Sequence, residues 1–402
     1  MKRANPKILY ICSSWPCDKA FGGQLRALQI GRALQKIGDV TVSVVSWDDP
    51  QPDVVERTQK VFAVQPPVKV LARPNRGIID RTRWALDTHF LNVHGCVADP
   101  SDRQRLLAEI DKFDLVWVLN SRTPNILDQW RWPHSVLDID DVPSTYLRTI
   151  WQNGASLKDK LKAGVMMKLF KRREQLWTQR FSAISVCSEN DRQYLGDGDR
   201  IHVIPNGFER PAAEPVPRPV DPPRIGFIGL YSYPPNLEGM RWFIDKCWPA
   251  IKARVPNAVL RVAGKDSDGP MKPVGPDVQP LGYVPDSAAE IATWSATIIP
   301  VLHGAGTRVK LADAFSRKCP VVSTKLGAFG YEVESGRDIL LADTALEFSD
   351  ACVSLLQNRS KAVALAESAW RAFLEKWTWD AIAPRVWAAA ESSLQLGKRN
   401  KA

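Results

Sequence analysis

The sequence predicts an α/β protein made of two doubly wound halves, each a parallel sheet with helices on both faces. Short apolar runs alternate with longer amphipathic stretches, the pattern of repeated βαβ units. The alternation stops once, at ERPAAEPVPRPVDPP (209–223), where six prolines exclude regular structure, and then starts again. With 402 residues, 45% hydrophobic and 24% charged, the chain is long enough for two or three soluble domains that bury full cores.

In the first half, KILYICSS (7–14) reads as a buried strand, and GQLRALQIGRALQKIG (23–38) as an amphipathic helix closed by Gly38. DVTVSVVSW (39–47) is a strand, LLAEIDKF (106–113) a helix, DLVWVLNS (114–121) a strand, and SVLDIDD (135–141) a strand ending in acids. In the second half, RIGFIGL (224–230) is a strand, and NLEGMRWFIDKCWPAIKARV (236–255) a helix broken at Pro249. AVLRVAG (258–264), ATIIPVL (296–302) and PVVST (320–324) are strands, with helices at SAAEIATW (287–294) and RVKLADAFSRK (308–318). Ligands of such sheets bind at the carboxyl ends of the strands.

Composition narrows the function classes. No stretch approaches the ~20 apolar residues of a bilayer span. The N-terminal MKRANPKILYICSSW lacks a signal-peptide core, so a cytoplasmic location is expected. Seven scattered cysteines without a CxxC pair are expected to be reduced core thiols. The formal charge of +10 calls for an anionic partner. No RRM, KH or zinc-finger pattern supports nucleic acid, and no GxGxxG follows the first strand, which argues against an NAD dehydrogenase. No His/Asp cluster has metal-ligand spacing, although DID (138–140) has the spelling of a metal–diphosphate motif. Neither a metal nor a cofactor is expected.

HGAGT (303–307) lies between a strand and a helix, where a parallel sheet presents its ligand site. Gly304 and Gly306 let the backbone approach a ligand, Thr307 is the expected N-cap, and Arg308 and Lys310 add two cations. Fixed donors with cations suit a diphosphate. Asp313 shares a helical face with Lys310 and is placed for ribose hydroxyls. The plainer reading is an ordinary turn with Asp313 paired to Arg317, four residues on.

GAGTRVKLADAFSRKCPVVSTKLGAFGYEVESGRDILLAD (304–343) resembles the donor-binding region of family-4 glycosyltransferases of GT-B fold, in the branch reading Gly-Gly-Thr-Arg-x-Lys. PNGF (205–208), FIGLYSYPPNLEGMRWFIDKCWPAIKARVPNAVLRVAGK (227–265), GYVPD (282–286), FGGQLRAL (21–28) and WTWDAIAPRVWAAA (377–390) resemble further segments of that family. The resemblance implies two Rossmann-like domains facing across a cleft: 1–208 for the acceptor, 209–223 as linker and 224–375 for the donor. A C-terminal helix (376–395) would return to the first domain. It implies a nucleotide-diphosphosugar donor, retention of anomeric configuration, and no essential metal. Arg308 and Lys310 would hold the diphosphate, helped by the backbone of Gly306 and Thr307, with Asp313 at the ribose. Gly22, Gly23, Asn236, Gly264 and Tyr283 would complete the donor site, and Asp140 would join Arg308 and Lys310 in catalysis.

Three positions depart from the family pattern. Its first paired carboxylate falls on Ala305, and its second is shortened to Asp313. The loop after the second domain's first strand reads YSYPPN, without the usual Arg and Lys. Where a His often ends the fourth strand of the first domain, this chain has Asp138, Asp140 and Asp141. Those acids either orient sugar hydroxyls or cap and solubilise the loop. His94 and Asn120 are further crevice candidates. The competing readings are a sugar-nucleotide epimerase of the same fold, with Asp138 and Asp140 as acid and base, and a non-catalytic sugar-nucleotide-binding relative.

LKDKLKAGVMMKLFKRREQLW (157–177) reads as a helix rich in Lys and Arg with Val165, Met166, Leu169 and Phe170 interspersed. It either lies on an anionic membrane, which suits a lipid-linked acceptor, or packs as an ordinary basic helix, which suits a soluble glycan acceptor.

Overall fold

The computed structural model describes residues 5–17, 23–47, 50–73, 77–91, 95–153, 156–196, 198–304 and 306–399. They form two compact units: Met1–Thr145 with Leu161–Pro205 and Ile382–Ala402, and Tyr146–Lys160 with Asn206–Ala381.

The first unit holds strands β1 (Lys7–Cys12), β2 (Asp39–Ser46), β3 (Ala63–Val64), β4 (Val68–Ala72), β5 (Cys96–Ala98), β6 (Leu115–Leu119), β7 (Ser135–Ile139), β8 (Ala183–Val186) and β9 (Ile201–Val203). Their order is β5-β4-β2-β1-β6-β7-β8-β9, with β3 also on β2. Every pairing is parallel except β4 with β5. The helices used below are α1 (Gly23–Gln35) and α2 (Ile78–Leu86) of this unit, α3 (Pro143–Asn153), which enters the second unit at Tyr146, and α4 (Leu157–Glu174), which belongs to the first unit from Leu161 onward. β1, β6 and β7 are buried almost along their whole lengths, as expected of strands covered on both faces.

In the second unit β10 (Arg224–Ile228), β11 (Val259–Ala263), β12 (Val278–Gly282), β13 (Ala296–Ile299), β14 (Val321–Ser323) and β15 (Leu340–Leu341) are all parallel, in the order β12-β11-β10-β13-β14-β15. This is the doubly wound order 3-2-1-4-5-6. Its helices include α5 (Pro234–Trp242), α6 (Trp248–Arg254), α7 (Val309–Ser316), α8 (Ala345–Gln357) and α9 (Arg359–Lys376). One core layer gathers Phe227, Phe243, Trp248 and Phe348, and another Leu311, Phe315, Trp370 and Phe373. The long helix expected over 236–255 is two helices joined by a π-turn at Phe243–Cys247. The break falls ahead of Pro249, which has no N–H to donate. Residues 209–223 contain no helix or strand. The last helix, α10 (Trp379–Arg399), passes into the first unit at Ile382, where the Trp387 indole donates to the Ala33 carbonyl at 2.8 Å.

All seven cysteines are free and buried. Among the described residues, no helix is long and apolar enough to cross a membrane.

Asp138 is not a crevice group. It sits in β7 at 0% exposure, bound to Arg26 of α1 at 2.6 Å, to Ser185 at 2.7 Å and to the Trp117 indole at 3.4 Å. Arg26 also donates to the Ile204 carbonyl at 3.0 Å. The ion pair thus ties α1, β7 and the end of the first unit's main body. An unpaired guanidinium there would face a large desolvation cost. Asp138→Ala is therefore expected to lower stability by about 3–5 kcal/mol, read from the midpoint of chemical denaturation.

Candidate functional site in the second unit

The site is built where β10, β11 and β13 end. Gly264 follows β11 with φ +122°, and a Cβ there would lie 2.0 Å from the Gly229 carbonyl oxygen. The two strand ends are therefore pressed together as only glycine permits. Beyond Gly229, Asn236 in the first turn of α5 bridges two elements. Its Nδ2 donates to the Leu230 carbonyl at 2.7 Å, and its Oδ1 accepts from Lys310 Nζ at 2.6 Å. The Lys310 ammonium also lies 4.3 Å from the centre of the Phe227 ring.

The Gly304–Arg308 loop brings in the second cation. Gly304 has φ +127°, and a Cβ on it would come within 2.6 Å of Arg308 Nη2, so the guanidinium folds back over its own loop. Arg308 Nη1 donates to the Gly306 carbonyl at 3.1 Å, and the Arg308 carbonyl accepts from the Tyr331 hydroxyl at 3.1 Å. Burial, reinforced by repulsion from Arg308, pulls the Lys310 pKa down to about 7. Two half-buried cations two residues apart, at the start of α7, make an electropositive point that an anion relieves.

The helix starts one residue later than expected. Arg308, not Thr307, is the N-cap residue of α7, and its side chain does not cap. Thr307 Oγ1 is buried without a hydrogen-bond partner among the described residues. Asp313 is buried, which raises its pKa, and Arg317 Nε lies 3.3 Å from its Oδ1. The ion pair of the plainer sequence reading is thus present. Tyr283 is largely exposed just after β12.

Other candidates fall in the first unit. Asp140 is partly buried after β7 and accepts from Cys187 Sγ at 3.3 Å; Asp141 is exposed. Asn120 is a turn former: its φ is +75° and its Oδ1 accepts the Arg122 N–H at 2.9 Å. Gly23 opens α1, whereas Gly22, His94 and Ala305 lie outside the described residues. With Asp138 committed to Arg26, the acid/base pair Asp138–Asp140 of the epimerase reading is not assembled. Among the described residues, no group of three His, Cys, Asp or Glu is arranged to hold a metal ion.

Phe227, Gly229 and Tyr331 support the cations without having been singled out in the sequence. So does Thr149 of α3, whose Oγ1 accepts the Gly304 N–H at 3.1 Å and donates to the Tyr146 carbonyl at 2.8 Å. Nothing in the sequence near Thr149 signals a partner 155 residues away.

Residues 222–358 match the family model described as "Glycosyl transferases group 1". A Klebsiella pneumoniae protein described as an uncharacterized 44.6 kDa protein in cps region is 26% identical over 157 residues. That match spans 37% of this chain and 40% of the relative's length. Similar solved structures include a sucrose-phosphate synthase from Thermosynechococcus elongatus, at TM-score 0.65, 16% identity and 98% coverage of both chains. Anabaena HepE in complex with UDP-glucose is similar at TM-score 0.59 and 14% identity, over 95% of this chain and 98% of that one. A TarM variant from S. aureus in complex with UDP reaches TM-score 0.64 at 10% identity, over 96% and 99%. The fold is that of GT-B glycosyltransferases. Arg308, Lys310 and Asn236 all lie within residues 222–358, the segment that matches the group 1 model.

Thr149→Val keeps the shape of the side chain and removes the acceptor for the Gly304 N–H. A hydrogen bond of this kind is worth about 0.5–1.5 kcal/mol. The Gly304 amide is expected to exchange with solvent about twofold to tenfold faster in this variant, and Thr149→Ser to keep wild-type protection. Hydrogen–deuterium exchange over residues 303–308 reads the difference.

Proposed function

We propose that the protein is a retaining glycosyltransferase that moves a sugar from a nucleotide-diphosphosugar to a hydroxyl of a glycan or lipid-linked saccharide, without a metal ion. The observation that carries this reading is the Arg308–Lys310 pair on the glycine loop, inside the segment that matches the glycosyltransferase model. HepE and TarM are each described with UDP or UDP-glucose bound, which supports a uridine diphosphosugar as donor here.

The chemistry follows from charge. The bond between the anomeric carbon and the diphosphate oxygen breaks as the acceptor oxygen bonds to the same face of that carbon. The acceptor proton passes to the departing diphosphate oxygen. Negative charge grows on the diphosphate in the transition state, and Arg308 and Lys310 stabilise it there. The buried Thr307 hydroxyl and the backbone of Gly306 supply further donors, and Asp313 is assigned to the ribose. Two fixed cations take the place of a metal.

The deciding experiment offers the protein a panel of sugar nucleotides with and without saccharide acceptors and follows free nucleotide. Release that rises with acceptor, with product of retained configuration, supports transfer. A changed sugar epimer, or binding without turnover, rejects it.

Arg308→Ala and Lys310→Ala are each expected to weaken UDP-glucose binding by about 1.5–3 kcal/mol, the worth of a charge-assisted bond, with the fold intact. Calorimetric titration of both variants checks this.

The affinity should also depend on pH with a definite sign. A bound diphosphate favours the ammonium and raises the Lys310 pKa above its free value of about 7. Binding then takes up a proton above that pH. UDP-glucose affinity is therefore flat below about 7 and falls as pH rises, by at most about tenfold per unit for one proton. Lys310→Met should flatten the profile.

Activity is expected to survive a chelator. Its loss on EDTA and return with Mg²⁺ or Mn²⁺ would overturn the metal-free assignment.

A further inference from the structure

The face that α4 turns to solvent is not what a solvated basic helix needs. Leu157, Leu161 and Val165 recur every four residues and are 74%, 62% and 61% exposed. Lys168 and Arg172 continue the same face, and Lys158 and Lys162 flank it; all four cations are exposed. The opposite face is already occupied. Ala163 and Glu174 are buried, and the Phe170 ring meets Trp84 of α2 edge-on at 5.2 Å.

Arg173 belongs to that inner face. Its guanidinium donates to the Thr88, Phe90, Trp84 and Asp87 carbonyls at 3.0, 3.1, 2.5 and 2.7 Å, closing the C-terminal end of α2. Lys171 lies 4.7 Å from the centre of the Tyr194 ring. Packing therefore separates the cations of α4 into those that hold the fold and those that face outward beside bare aliphatic side chains.

We propose that this outer face of α4 docks on an anionic lipid bilayer, with Leu157, Leu161 and Val165 entering the headgroup boundary and Lys158, Lys162, Lys168 and Arg172 meeting lipid phosphates and carboxylates. Charge complementarity selects this occupant. A second copy of the chain would bring the same four cations against themselves, whereas an anionic surface compensates every one of them. The inference stands on α4 alone and does not depend on the proposed transfer reaction.

The test is co-sedimentation with vesicles of phosphatidylcholine alone and of phosphatidylcholine with about one third phosphatidylserine. Wild-type protein should bind only the anionic vesicles, and added salt should release it by screening. Each cation near such a surface contributes about a fivefold gain in affinity. Replacing the four outward cations (Lys158→Gln, Lys162→Gln, Lys168→Gln, Arg172→Gln) is thus expected to weaken binding by on the order of a hundredfold or more. Leu161→Ser with Val165→Ser should also lose binding while the charge is unchanged. These side chains are exposed, so thermal unfolding of both variants should stay close to wild type, which separates lost docking from lost folding. Three results would overturn the proposal: a wild-type protein that ignores anionic vesicles at low salt, equal partition of wild type and the four-cation variant, or a wild-type dimer in sedimentation velocity that Leu161→Ser with Val165→Ser dissolves.

Discussion

The Lys310 ammonium lies against the Phe227 ring and bonds to the Asn236 amide, and removal from water brings its pKa down to about 7. Withdrawing part of an ammonium from water is costly, and the Asn236 amide and the Phe227 ring offset part of that cost. Gly229 and Gly264 bring two strand ends within touching distance, and Asn236 in the first turn of α5 stands beside Gly229. Tyr331 and Thr149 hold the two ends of the glycine loop that carries Arg308. The resulting pocket of charge is unfavourable by itself and favourable with an anion, which is how preorganised electrostatic sites work.

The first unit uses its charges differently. Arg26 and Asp138 form a buried pair that links a helix, a strand and the segment leading out of the unit. Arg173 donates to carbonyls at the end of α2 and Arg180 to the Gln129 and Trp130 carbonyls, and burial lowers both pKa values to about 10. A strongly basic composition is thus divided between groups spent on internal carbonyls and groups left facing outward. Only the latter can attract an anionic surface.

Net charge in the sequence pointed to an anionic partner but could not say which cations would meet it. Along α4 the residues alternate between roles at helical spacing, and packing decides which side is inside: Ala163 and Glu174 are buried, Phe170 meets Trp84, and Arg173 bonds the carbonyls at the end of α2. The DID stretch shows the same limit. Its three letters fit a metal motif, a catalytic pair or a buried ion pair, and the pairing partner Arg26 lies 112 residues away.

By itself the sequence determined the alternation of strands and helices, the proline-rich interruption and the glycine loop followed by Arg308 and Lys310. These are local patterns, set by side-chain periodicity, proline chemistry and backbone freedom, and they are legible without coordinates. Tertiary structure alone decided that Thr307 is not the helix cap, that Asp313 pairs with Arg317, that Asp138 is committed to Arg26, and that Asn236, Phe227 and Thr149 support the site. The Asp138, Asn236 and Thr149 contacts depend on which distant group reaches a polar atom that must be satisfied once buried, and packing settles that competition; the Asp313–Arg317 pair is one helical turn apart, and the sequence had offered it as one of two readings.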